Sequence, residues 1–118
     1  MQIFDFSAQS SKPITQYGSQ HAVVSHLIHS DGKYFIVCIR VEAGGFLGRH
    51  EAHNNQLFCV VQGAGTVSGD DGNFQPITEG QAAFWQAGEF HETRSEQGLT
   101  AMVFEGENLQ SVEALARL

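Results

Sequence analysis

Six histidines are spread over the 118 residues, and two of them, His50 and His53, stand just before a long apolar run in "GGFLGRHEAHNNQLFCVVQGAG" (Gly44 to Gly65). Imidazole is the commonest protein ligand for metal ions and the side chain whose charge changes near neutral pH. Histidines beside a buried strand therefore build a metal site or face a pocket as hydrogen-bonding groups. Other chemistries are absent from the sequence: it has no P-loop, no G-x-G-x-x-G after a strand, no G-x-S-x-G and no Cys-x-x-Cys.

The elements that must position these side chains read as strands. "HAVVSHLIHS" and "KYFIVCIRV" are rich in β-branched and aromatic residues, and Asp31-Gly32 lies between them. Asp-Gly supplies the positive φ that a tight hairpin turn requires, so a hairpin is predicted there. A second is predicted where "GTVSG" is followed by "DDGN" and "FQPI", with further strands at 57–61, 82–85, 91–95 and 99–105. Short strands at regular spacing, punctuated by thirteen glycines, predict an all-β sandwich or barrel. Only the end of the chain differs. Leu109, Val112, Leu115 and Leu118 recur at helical spacing after Asn108, a suitable N-cap, and predict a short C-terminal α-helix on the outside of the barrel.

Composition narrows the partners. A chain of this length is expected to form one domain with one core. The formal charge is −7, and the six cations (Lys12, Lys33, Arg40, Arg49, Arg94 and Arg117) are scattered. Nucleic acids and anionic membrane surfaces are recognised by clustered basic residues, so neither is an expected partner. No apolar stretch approaches the ~18 residues of a membrane span, and "MQIFDFSAQSSKPI" lacks the pattern of a signal peptide, which points to the cytoplasm. Cys38 and Cys59 lie inside apolar runs and read as small buried hydrophobes. The run "LFCVV" is apolar at every position instead of alternating, so it is expected to be covered on both faces. A second subunit would supply the outer cover, and a homodimer is the expected assembly.

The spacing from Gly44 to Ser95 resembles the two motifs of a small single-domain cupin, a double-stranded β-helix (jelly-roll) barrel. The first cupin motif runs G-x5-H-x-H-x3-E-x6-G. Gly44, His50, Gln56 and Gly63 take its places, with Ala52 at the second histidine and Gln56 at the glutamate. The second runs G-x5-P-x-G-x2-H-x3-N. Gly80, Gly88 and His91 fall in place, with Gln86 for proline and Ser95 for asparagine. The resemblance implies one domain over 1–118, with motif 1 at 44–63 and motif 2 at 80–95. It also implies a pocket onto which His50, Gln56 and His91 face.

In metal-binding cupins the two histidines and glutamate of the first motif join the histidine of the second around one ion. Ala52 and uncharged Gln56 weaken that set here, leaving His50 and His91 as imidazole donors. His53 would join them only through a β-bulge, because strand parity turns it away from the face of residue 50. A weak divalent site (Fe, Mn, Ni or Zn) would then consist of His50, His53, Gln56 and His91. Gln56 could equally be a structural amide orienting His50.

Arg40 interrupts an apolar strand and would anchor a carboxylate if it faced inward; otherwise it reaches solvent. Phe58, with Trp85 and Phe104, is a candidate cavity wall. Glu89 and Glu92 flank His91 as supporting or solvated carboxylates. His21, His26 and His29 read as edge or surface residues. The leading expectation is a small-molecule-binding barrel with a pocket of His50, Gln56, His91, Phe58 and Arg40, taking an organic acid or a sugar-like metabolite. The competing one is a metal-dependent enzyme of the dioxygenase, isomerase or decarboxylase kind, and a plain scaffold is the third. A scaffold would fill its interior with apolar side chains and leave His50 and His91 unexplained.

Overall fold

The computed structural model describes residues 1–31 and 33–110. Eight strands follow in order: β1 (Lys12–Pro13), β2 (Gln20–Ser30), β3 (Tyr34–Glu51), β4 (Asn55–Ser68), β5 (Gln75–Thr78), β6 (Ala82–Trp85), β7 (Phe90–Ser95) and β8 (Leu99–Gly106). Two 3₁₀ turns, Ala8–Ser10 and Gln16–Gly18, precede β2. All strand pairing is antiparallel. Among the described residues no helix is long and apolar enough to cross a membrane. The predicted C-terminal helix falls on 111–118, outside the described residues.

The two long strands make the barrel. β3 pairs with β8 through Tyr34–Val41 and with β7 through Gly45–Glu51. β4 pairs with β8 through Asn55–Gly63 and with β7 through Thr66–Ser68. The ladder therefore runs β3–β8–β4–β7 and back to β3, closing on itself and leaving no free edge within that ring. Gly44 and Gly63 sit where β3 and β4 change partners, each at a φ of 81°. A side chain at Gly63 would also run into the backbone of Gly98 and Leu99, so this corner needs glycine.

Both predicted hairpins are present. β2 meets β3 from Ser30↔Tyr34 onward, and Asp31 takes a φ of 44° in the turn. β4 meets β5 from Val67↔Gln75 to Ala64↔Thr78. The strand predicted at 57–61 and the "GTVSG" strand turn out to be one continuous element, β4.

Alternation sorts the side chains. Phe58 and Val60 of β4, Leu99, Ala101 and Val103 of β8, and Val37 and Val41 of β3 point inward and form the core with Trp85 and Ile77. The outward row across five strands is also apolar: Ile28, Ile36, Phe104, Leu57 and Phe84 stand side by side on β2, β3, β8, β4 and β6. Within one chain the expected double cover of "LFCVV" is not complete. Leu57 and Cys59 are half-buried and Val61 is 49% exposed. Cys38 and Cys59 are free thiols flanking Met102 on this outer face; Cys38 is buried, and burial pushes the Cys59 thiol up.

Candidate functional site

A cavity of about 500 Å³ opens into the barrel between the inner faces of β2, β3, β4, β7 and β8. Val24, Ile39, Leu47, Phe58 and Val103 are among its apolar walls, and the polar residues that line it include a group formed by His50, His91, Gln56 and Glu105. The N-terminal segment crosses its mouth. β1 pairs with β2, the Ile14 amide donates to the Ala22 carbonyl (2.9 Å), and the Gly48 amide donates to Ser19 Oγ (3.0 Å). This strap carries Tyr17 over the opening.

His50 lies on β3 directly opposite His91 on β7. Residues paired across an antiparallel ladder share a face, so both imidazoles enter the barrel together. Their ring centres are 4.4 Å apart with planes at 52°. Tyr17 stacks flat on His50, 3.8 Å away with planes 3° apart, and Trp85 lies 4.4 Å from His91 on its other side. Trp85 in turn donates its indole N–H to the Ser68 carbonyl (3.1 Å) and packs edge-on against Phe58.

The tautomer of His50 follows from its neighbour. Nδ1 lies 2.7 Å from the Gly48 carbonyl, which can only accept, so Nδ1 carries the proton and Nε2 keeps its lone pair in the neutral ring. His91 is only 6% exposed, and its Nε2 has no hydrogen-bond partner. Burial, the nearby charge of His50 and that of Arg49 push the His91 pKa down to about 4, so it is neutral at physiological pH. Orphaned polar atoms of this kind are rare in a folded interior, where nearly all buried polar groups find partners.

Gln56, buried on β4, does not orient His50. Its amide nitrogen donates to Glu105 Oε1 at 2.6 Å. Glu105 is a polar group that sequence reasoning missed, although the inward period of β8 (99, 101, 103, 105) contains it. Tyr17 was missed too, and no pattern marks it: it comes from a turn distant in sequence. It is also left-handed, at φ 60° and ψ 25°.

The remaining predicted residues divide. Phe58 is a wall of the cavity as expected, whereas Trp85 backs His91 and Phe104 faces outward. Arg40 does not belong to the pocket: it has the opposite parity to Val37 and Ile39 on β3, and its guanidinium donates to the Phe6 carbonyl (3.1 Å). Glu89 accepts the Gln86 amide in the turn before β7, and Glu92 pairs with Arg94 on the outer face. His26 is exposed and reaches the edge of the cavity, while His21 is exposed at a register shift in β2.

His53 lies beyond the end of β3, exposed at the rim of the cavity. The register shift in the β3–β7 ladder falls between Leu47 and His50, ahead of His50, and so does not swing His53 toward the two imidazoles. Among the described residues no three His, Cys, Asp or Glu side chains converge closely enough to hold an ion. Buried Ala52 has no donor, and the Gln56 amide is turned to Glu105. The residues present offer a divalent ion two imidazoles and not the four-donor set of His50, His53, Gln56 and His91.

No protein-family model matches the chain, and no curated protein matches its sequence. Solved structures do. The polyketide cyclase RemF from Streptomyces resistomycificus superposes with a TM-score of 0.78 at 17% identity, over 96% of this chain and 88% of that one. A predicted oxalate decarboxylase from Thermotoga maritima gives 0.75 at 18% identity, over 83% and 92%. An RmlC-like cupin with a double-stranded β-helix fold from Methanocaldococcus jannaschii gives 0.71 at 14% identity, over 91% of each chain. Identities this low speak to the path of the chain alone, and that path agrees with the motif spacing and the closed strand ladder: this protein has the cupin fold, an all-β double-stranded β-helix barrel.

Proposed function

We propose that this protein binds a small molecule inside the barrel, held by hydrogen bonds from His50, His91 and Gln56 against the Phe58 wall. The observation that carries this reading is the buried His91 Nε2, left without a partner beside the free Nε2 of His50 at a cavity of about 500 Å³. A barrel serving only as a scaffold would gain stability by filling that space with apolar side chains. The names of structural neighbours, a polyketide cyclase and a predicted oxalate decarboxylase, support small-molecule chemistry in barrels of this fold. The outward row of Ile28, Ile36, Phe104, Leu57 and Phe84 supports a second copy of the chain as partner.

Elemental analysis separates this reading from the metal-dependent enzyme. The purified protein is measured as isolated and after reloading with Fe²⁺, Mn²⁺, Ni²⁺ or Zn²⁺ and desalting, with His91→Ala alongside. The expected content is far below one ion per chain. One ion per chain, lost in the variant, would replace ligand binding by direct hydrogen bonds with a metal-dependent activity. In parallel, a thermal-shift screen of small metabolites is expected to give stabilising compounds whose effect is lost in Leu47→Trp, which narrows the cavity.

A further inference from the structure

Around the two imidazoles the cavity offers several acceptors, beside the hydroxyls of Tyr17, Ser19 and Thr93, which can donate as well as accept. His50 donates through Nδ1 to the Gly48 carbonyl, which leaves Nε2 to accept. Neutral His91 contributes one accepting and one donating nitrogen in either tautomer. The carboxylate of Glu105 takes one hydrogen bond from the Gln56 amide nitrogen, so its other oxygen and the Gln56 carbonyl oxygen are further acceptors.

Cations are turned elsewhere. Arg40 donates to the Phe6 carbonyl, Arg49 to the carbonyls of Gly69 and Asp70, and Arg94 pairs with Glu92 while lying over the Phe74 ring. Lys33 stands exposed in the turn between β2 and β3. Of the lysines and arginines among the described residues only Lys12 borders the cavity, exposed at its rim, where Glu51 is exposed as well. An anion entering would lose water and meet Glu105 with no guanidinium to receive it, a combination that disfavours it strongly. Inside, a cation would find one carboxylate, Glu105, already engaged by Gln56, within apolar walls, and Glu51 at the exposed rim.

Resting on the cavity reading above, we infer that the ligand is an uncharged molecule rich in hydrogen-bond donors, a polyol or phenol with an apolar body, and that the site rejects carboxylates. Of the two ligand classes expected from the sequence, an organic acid or a sugar-like metabolite, this sets aside the acid, for which Arg40 offers no inward-facing anchor.

The test uses four probes sharing one ring system, titrated calorimetrically into the wild-type protein at pH 7.5: 2,7-dihydroxynaphthalene, 2,7-dimethoxynaphthalene, 2-naphthoate and 2-naphthylmethylammonium. The dihydroxy compound is expected to bind at least tenfold more tightly than each of the others. In Glu105→Gln, which removes the charge and keeps an amide partner for Gln56, the gap between the diol and the naphthoate is expected to narrow. Equal or tighter binding of the naphthoate, the ammonium or the dimethoxy compound would overturn the inference and leave the cavity reading standing. Failure of all four to bind would overturn both.

Discussion

His50 and His91 face each other across the β3–β7 ladder with ring centres 4.4 Å apart, and Tyr17 and Trp85 close the outer side of each ring. The four rings follow one another as Tyr17, His50, His91 and Trp85, the first pair stacked flat and the other two tilted. Water reaches His50 more readily than His91, so the two identical side chains differ in character: His50 is half-buried with a fixed tautomer, and His91 is buried and held neutral.

That difference predicts how stability responds to acid. The His91 pKa is pushed down to about 4 from 6.5, so between those values the unfolded chain binds a proton that the folded protein refuses. Stability therefore rises with pH through this window and is lost as pH falls from 6.5 toward 4, by a contribution on the order of 3 kcal/mol. Urea denaturation of metal-free protein at intervals across the window should show this slope. His91→Gln, which keeps polarity without the titration, should flatten it.

Tyr17 and Gly48 are coupled through their backbones. A Cβ at Gly48 would fall 2.7 Å from the Tyr17 carbonyl carbon and closer still to its oxygen, so Gly48→Ala must displace the strap. It is expected to cost roughly 2 kcal/mol or more, as steric overlap in a buried site does. Tyr17→Gly should be nearly neutral, within about 1 kcal/mol, because the loss of the stack on His50 is offset by relief of the left-handed strain at φ 60°. Denaturation midpoints of the two variants check the ordering.

Phe58 is 1% exposed, belongs to the core and also forms a wall of the cavity. Phe58→Ala should destabilise by about 3–5 kcal/mol, since neighbouring strands of a closed ladder relax little into the space left behind. Thermal and urea unfolding measure the loss.

The apolar outer row predicts self-association. Sedimentation equilibrium is expected to give a dimer for the wild type and a monomer for Leu57→Lys, which places a charge in the row between Phe104 and Phe84. A wild-type monomer at micromolar concentrations would rule the proposed dimer out.

Much of the architecture was legible in the residues. The Asp31-Gly32 turn set one hairpin, "DDGN" set the other, and β6 has the predicted bounds at Ala82–Trp85. These features are local: a turn's φ preference and a strand's period of two act within a few residues. The motif spacing likewise brought His50, Gln56 and His91 to one cavity, because strand parity and corner glycines carry that information along the chain. The readings that depended on facing were less secure. The strand predicted in "KYFIVCIRV" continues through a glycine corner at Gly44 to Glu51 as one element, β3, and its parity turns Arg40 outward.

What the sequence determined by itself was the all-β barrel, its hairpins and the pair of histidines, since each follows from short-range preference and spacing. Only the tertiary structure decided that Gln56 answers to Glu105, that His53 stays at the rim, and that Tyr17 covers His50. Those relations join residues tens of positions apart. They are set by how the closed ladder places β8 beside β4 and lays the N-terminal strap across the mouth, and no local pattern encodes such a juxtaposition.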